Sequence, residues 1–317
     1  MLKKSGFIVG AYPCAPSFHQ CDQEMEISFW QQLAKNPHIR GIEQPCLQDL
    51  HPYGDDFLFK LIPDEWTIVV TAVMGTMQKR AVNANFGLAS TDEEQRQACV
   101  KFYQHIYQKI SQTNDRFKTN KVLALEIQSA PAQNPTIATA QQAFQKSLYE
   151  LSQWDWPCEL VIEHCDAFNG VDPKKGFLPI ESEIESAAGF KNMGICINWA
   201  RSALEGQNTQ LPLQHTQQVL NANLLSALMF SGTTLTGPYG HWGDLHAPFA
   251  HFEGAKVNCP ESIMTVDLAK QLLQVAKPEA LSFLGIKLLE IDKNATVEHR
   301  VAILEDGINA LIKATTL

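Results

Sequence analysis

Short β-rich runs alternate with longer stretches of helical period along all 317 residues, and this alternation constrains the fold more tightly than any motif. The runs are Phe7 to Tyr12, Gly41 to Gln44, Thr67 to Val73, Val122 to Gln128, Leu160 to His164, Gly194 to Asn198, Leu228 to Ser231 and Phe283 to Leu288. Helical spacing predicts Asp92 to Ser111, where Thr91 and Glu94 form a capping-box pattern, and Ala138 to Trp154, where Phe144, Leu148 and Leu151 share a face. Further helices are expected at Glu181 to Lys191, Leu213 to Leu225, Ser262 to Ala276 and Val297 to Ala314, with a short one near Asp55 to Leu61. Eight strands, each followed by a helix, predict a single α/β domain over 1–317, a (β/α)8 TIM barrel rather than an open doubly wound sheet. No GxGxxG follows the first run and no GxxxxGK(S/T) loop occurs, so the common nucleotide-binding reasons for an open sheet are missing.

A chain that is 45% hydrophobic at this length can bury a large core. Its net charge of −9 argues against a protein that grips nucleic-acid backbone, which needs a Lys/Arg surplus to neutralise phosphates. The N-terminal MLKKSGFIVGAYP is interrupted by Gly10 and Pro13, which suits a first strand better than a leader or a membrane span. Eight cysteines (Cys14, Cys21, Cys46, Cys99, Cys158, Cys165, Cys196, Cys259) show no CxxC spacing. Reduced, buried thiols in a cytoplasmic protein are the expectation, with Cys165 or Cys196 as the candidates for a reactive one.

Within the runs, strand parity sorts the charges. Successive side chains point to opposite faces, so Glu126 shares a face with Ala124 and Gln128, Glu163 with Val161, and Lys287 with Phe283 and Gly285. Glu43 occupies the same address near the end of the second run. Tyr12, Thr71, Gln128, Asn198 and Ser231 belong to the same inward series, so nearly every strand delivers a polar group to one mouth. Three carboxylates sharing one cation can have their pKa values pushed apart, leaving one as base and another as acid. The ordinary alternative is a buried salt bridge of Glu43 or Glu126 with Lys287. Lys287 itself could form a Schiff base, hold a substrate anion, or neutralise the carboxylates.

The long connections after strands, 14–27, 74–91, 168–179 and 232–261, are where a barrel carries its chemistry. The last of them contains His241, Asp244, His246 and His251 among glycines and aromatics, suiting a lid or pocket wall. Asp244 and His246 could contribute two ligands to a divalent metal. Arg201, expected in the loop after Asn198, could clamp an anionic group or pair with Glu205 along the next helix. His164, beside Glu163, is expected to face away from the mouth.

The segments GIEQP, LVIEH and GDLHAP, with the strand order, resemble the xylose-isomerase-like TIM barrels, a superfamily of sugar isomerases, sugar epimerases and AP endonucleases. The resemblance is to a domain-of-unknown-function branch. In active members a strand-five glutamate, a strand-six Asp-x-x-His, a histidine near strand seven and a strand-eight glutamate hold divalent metal, and Glu163 matches the first. This chain reads Asn198-Trp199-Ala200-Arg201 and Lys287 where two of the others are expected. The resemblance thus implies a sugar-like small-molecule substrate handled by carboxylate acid/base chemistry, as in an isomerase or epimerase. Glu163, Glu126, Lys287 and Glu43 would be catalytic, and Gln128, Asn198, Arg201, Ser231, His246 and Tyr12 would bind substrate. Metal would be optional or absent on this reading. A metal-dependent version would use Glu163, Asp244 and His246 with Mn or Zn, and a non-catalytic carbohydrate-binding barrel is the third option. No nucleic-acid or membrane partner is expected; barrels of this kind often pair, so a homodimer stays open.

Overall fold

Leucine, isoleucine and valine dominate the strands of this chain, and in the computed structural model, which describes residues 6–19 and 22–316, those strands close on themselves. The strands are β1 (Phe7–Gly10), β2 (Ile39–Pro45), β3 (Thr67–Thr71), β4 (Val122–Ile127), β5 (Glu159–His164), β6 (Met193–Asn198), β7 (Leu225–Phe230) and β8 (Phe283–Lys287). Each pairs in parallel with its sequence neighbour, and β8 pairs with β1. The expected barrel is therefore the observed one.

The helices are α1 (Pro16–His19), α2 (Gln23–Leu33), α3 (Asp55–Phe59), α4 (Val73–Val82), α5 (Glu93–Phe117), α6 (Ile137–Ser152), α7 (Ile180–Ala187), α8 (Trp199–Gly206), α9 (Leu211–Asn221), α10 (Val266–Ala276) and α11 (Val297–Thr316). Two expected loops are corrected: 14–27 runs into α2, and 74–91 begins inside α4, which also claims Val73 from the end of the third strand candidate. In α2 the Asp22 carboxylate accepts the Met25 N–H, and Phe29, Trp30 and Leu33 are buried. The cap of α5 is also corrected. Asp92, not Thr91, accepts the Gln95 N–H at 3.2 Å, while Ser90 Oγ accepts the Asp92 N–H.

Strand parity divides the core into two. Leu125, Ile127, Leu160, Ile162, Ile195, Ile197, Leu284 and Ile286 face outward into the helix layer. Ile8, Val69, Ala124, Val161, Cys196, Ala227, Met229 and Phe283 fill the barrel interior. That inner plug makes the barrel a packed body, with the buried charged side chains of the strands' inner face gathered above it at the C-terminal strand ends.

Candidate active site

Parallel register places Gly10 of β1 between Glu43 of β2 and Lys287 of β8. The two longer side chains meet across the glycine, with Lys287 Nζ 2.5 Å from Glu43 Oε1. A Cβ at position 10 would lie 3.0 Å from both Cβ and Cγ of Lys287 and 3.2 Å from Glu43 Oε2. The missing side chain is thus a condition for the ion pair. Gly10→Ala is expected to displace Lys287 and cost about 1–3 kcal/mol of stability by overpacking. Denaturant unfolding measures this, and a variant as stable as the parent would show that the lysine has slack.

Lys287 Nζ also lies 3.4 Å from Glu163 Oε1, and Gln128 Nε2 donates to Glu163 Oε2 at 3.2 Å. Gln128 is itself held by Tyr103 of α5, whose hydroxyl accepts the Gln128 N–H at 3.0 Å. Glu126 completes the group from β4, and neither of its buried carboxyl oxygens has an aligned hydrogen-bond partner. The side chains of Glu43, Glu126, Glu163 and Lys287 are fully buried.

Burial and unequal access to the lysine split the three carboxyls. Burial pushes Glu126 well above the usual carboxylate range, and the neighbouring Glu43 and Glu163 charges push the same way. Burial raises Glu43 to about 7 against the pull of Lys287. Burial would raise Glu163 too, but Lys287 and Arg201 together hold it below the usual range. The same carboxylates overcome burial at Lys287 and keep its amine firmly protonated. A Schiff base needs the free amine, so these surroundings oppose that role.

Above this tier sits a second one. Arg201 Nε lies 2.8 Å from Asp244 Oδ1, Lys175 bonds the other Asp244 oxygen, and Arg201 Nη1 donates to Cys165 Sγ at 3.0 Å. Arg201 and Lys175 overcome burial and hold Asp244 far below its usual range. His246, in left-handed backbone with φ 48°, is half-buried, and its inward Nδ1 is unpartnered. Burial and the adjacent Arg201 keep it neutral, well below its usual range. Ser231 Oγ donates to Asn198 Oδ1 at 2.7 Å.

Tyr12 lies over Lys287, its ring centroid 5.7 Å from Nζ. It lines two hollows, one of about 180 Å³ bordered by Met77, Lys175, Arg201, Asp244 and His246, and one of about 320 Å³ bordered by Glu26, Trp30 and His51. Phe18 and Met74 border both as well. The aromatic ring therefore stands between the charged floor and the space a ligand would enter.

The structure thus brings together Glu43, Glu126, Glu163, Lys287, Gln128 and Tyr12, with Asn198 and Ser231 bonded to one another and Arg201 and His246 overhead. Arg201 is not in a loop: it occupies the first turn of α8, and its carboxylate is Asp244 rather than Glu205. His241 and His251 are exposed and line neither hollow. All seven cysteines within the described residues are buried and free, while Cys21 lies outside them. Burial pushes the Cys165 and Cys196 thiols well above their usual range, against a nucleophilic role. Three participants were missed by the sequence reading: Lys175, Tyr103 and Glu26. Glu26 accepts from Trp30 Nε1 at 2.7 Å and contacts His51 Nε2 at 2.9 Å. Its i,i+4 spacing to Trp30 was the available signal.

A closed eight-stranded parallel barrel with polar side chains collected at the C-terminal strand ends defines a (β/α)8 TIM barrel. Solved structures of that class superpose along nearly the whole chain. A D-tagatose 3-epimerase-like protein gives a TM-score of 0.60 at 13% identity, covering 99% of this chain and 100% of that one. An L-ribulose 3-epimerase gives 0.58 at 13%, covering 97% and 92%, and a family 2 AP endonuclease from Brucella melitensis gives 0.56 at 11%, covering 94% and 97%. The chain belongs to the family described as "Domain of unknown function (DUF4862)", whose model matches residues 8–303. A Salmonella typhimurium (strain LT2) protein described as "Uncharacterized protein STM3670" is 56% identical over 316 residues, 99% of each chain. The solved structures are too distant in sequence to carry more than the fold.

Proposed function

We propose that this chain is a sugar isomerase or epimerase-like enzyme that moves a proton next to a carbonyl without a metal at the barrel mouth. The observation that supports it is the placing of three buried carboxyls around one ammonium, with Lys287 against Glu43 and Glu163 while Glu126 has no aligned partner, which favours an ionised Glu163 and a protonated Glu126. In this reading the substrate carbonyl oxygen takes an N–H of Lys287. The ammonium then turns away from Glu163, its looser partner at 3.4 Å, and Glu163 becomes a stronger base. Glu163 takes the proton from the carbon beside the carbonyl, the C–H electron pair moves into an enolate, and Lys287 stabilises the oxygen. Glu126 returns a proton to carbon, and release of the proton held by Glu163 and uptake of one by Glu126, exchanged with solvent once product leaves, restore the starting pair. Gln128 holds Glu163 in place, and Arg201, Asn198, Ser231, His246 and Tyr12 orient hydroxyls.

The resemblance to the xylose-isomerase-like barrels implies a divalent ion, and the side chains here do not suit one at this place. An ion between Glu163, Asp244 and His246 would adjoin three cations, since Lys287 lies against Glu163 while Arg201 and Lys175 both bond Asp244. Asn198 Oδ1 already accepts from Ser231. The amine supplies the positive charge instead.

Incubating the chelator-treated protein with a panel of ketoses in heavy water tests the proposal. Deuterium is expected at the carbon adjoining the carbonyl, read by NMR, together with the epimeric or isomeric sugar. The complete burial of the four charges favours one other reading, a carbohydrate-binding barrel without turnover. Thermal stabilisation by a ketose with no deuterium uptake would support that reading and sink the enzymatic one.

A further inference from the structure

His164 and Glu163 are sequence neighbours with opposite destinations. Glu163 faces the mouth, while His164 leaves the outer side of β5 and enters a buried polar pocket between α7, α8 and α9. We propose that His164, Glu205 and His215 form a binding site for a divalent transition-metal ion, of which zinc is the representative. Their potential ligand atoms all lie within 4.8 Å of one another. His164 Nε2 is 3.2 Å from Glu205 Oε2, and His215 Nε2 is 3.7 Å from Glu205 Oε1. Tetrahedral zinc with bonds near 2.0–2.1 Å needs its ligand atoms about 3.3 Å apart. Both contacts to Glu205 are already near that spacing.

The outer contacts of the rings point the same way. His164 Nδ1 lies 2.7 Å from Glu183 Oε2, and Glu183 Oε1 accepts from Ser129 Oγ at 2.6 Å. His215 Nδ1 lies 3.0 Å from Ser202 Oγ. A ligating histidine usually donates its other ring N–H to a carboxylate or another oxygen, which fixes the ring and its tautomer. With Nδ1–H groups donated to Glu183 and Ser202, both Nε2 lone pairs face the Glu205 carboxylate, where a metal ion takes the place of the proton that otherwise joins His164 to Glu205. The buried His164 Nε2 has no aligned hydrogen-bond partner, although Glu205 is close. Glu205 Oε2 is steadied by the Ala167 N–H at 2.8 Å. The Glu205 side chain is 13% exposed, against 0% for His164 and 4% for His215, so solvent reaches the fourth position from that edge. Two imidazoles and one carboxylate suit zinc or a similar first-row ion over magnesium or calcium. This site is separate from the mouth, and it holds whether or not the enzymatic reading does.

The test uses the full chain, stripped with chelator and titrated with zinc alone by calorimetry, with nitrogen-15 spectra of the histidines. Binding of one equivalent is expected, accompanied by a rise in Tm and by shifts at the Nε2 atoms of His164 and His215. His215→Gln and Glu205→Gln are each expected to weaken binding by at least about tenfold, while His246→Gln leaves it unchanged. The proposal is overturned if the parent binds no zinc, which would leave a protonated histidine network. It is also overturned if zinc shifts neither histidine, or if His246→Gln abolishes binding and so moves the ion to the mouth. The spectra of the parent decide the matter even if both glutamine variants fail to fold.

Discussion

Lys287→Met is expected to lower stability by about 3–5 kcal/mol near neutral pH, because it leaves buried carboxylates without their cation. Methionine keeps most of the length and removes the charge. The loss should depend on pH with a defined sign. Without Lys287, Glu43 and Glu163 both have folded-state pKa values above those of the unfolded chain, so the folded protein binds more protons between the two values. Stability then falls as pH rises through that interval, and the deficit is smallest below the unfolded-state value of about 4.3. Urea unfolding of parent and variant across this range measures it. Adding Glu43→Gln should recover part of the loss, since the two positions share one interaction. A deficit below about 1 kcal/mol at all pH values would mean that water reaches the cluster, as it does for exposed pairs.

Glu163→Gln should reduce deuterium uptake and sugar turnover together by about 10²–10⁴-fold, the usual contribution of a positioned base. The amide can still accept from Gln128, so circular dichroism and Tm should change little. Glu126→Gln is expected to behave differently. Proton removal persists, so exchange into substrate continues, but delivery of the proton as acid fails and little epimer accumulates. On the proposed mechanism, the competent form of the parent has Glu163 ionised and Glu126 protonated. Its pH profile should therefore rise below the usual carboxylate range and fall above it. Equal exchange by Glu163→Gln and the parent would remove Glu163 from the chemistry.

The tips of the strands were legible in sequence because parity is a local property. Once Leu125 and Ile127 share a face, Glu126 has to take the other, and closure of the barrel sends that face inward; Leu123, expected on the outer face, instead packs against the inner cluster where the register with β3 slips. The same logic sent His164 outward, where it meets Glu183 and Glu205. Connections were less legible. The period of Phe29, Trp30 and Leu33 in α2 is spread over barely three turns and begins at a polar Asp22 cap, so it read as loop. Pairings between loops were invisible for a different reason. Arg201 and Glu205 are spaced for a helix-surface pair, but burial of the first turn of α8 turned Arg201 toward Asp244 from the connection after β7. Only the assembled barrel brings those segments within reach. The ionisation of each carboxyl likewise depends on distances to Lys287, which spacing along the chain does not contain.

The lysine and its nearest carboxylate come from the last strand and the second, and they touch across the strand where the cylinder joins itself. During synthesis Glu43 is thus made long before its counter-charge exists. The counter-charge that Glu43 pairs with therefore arrives only with the last strand, and the seam that closes the cylinder is also the place where its opposite charges meet.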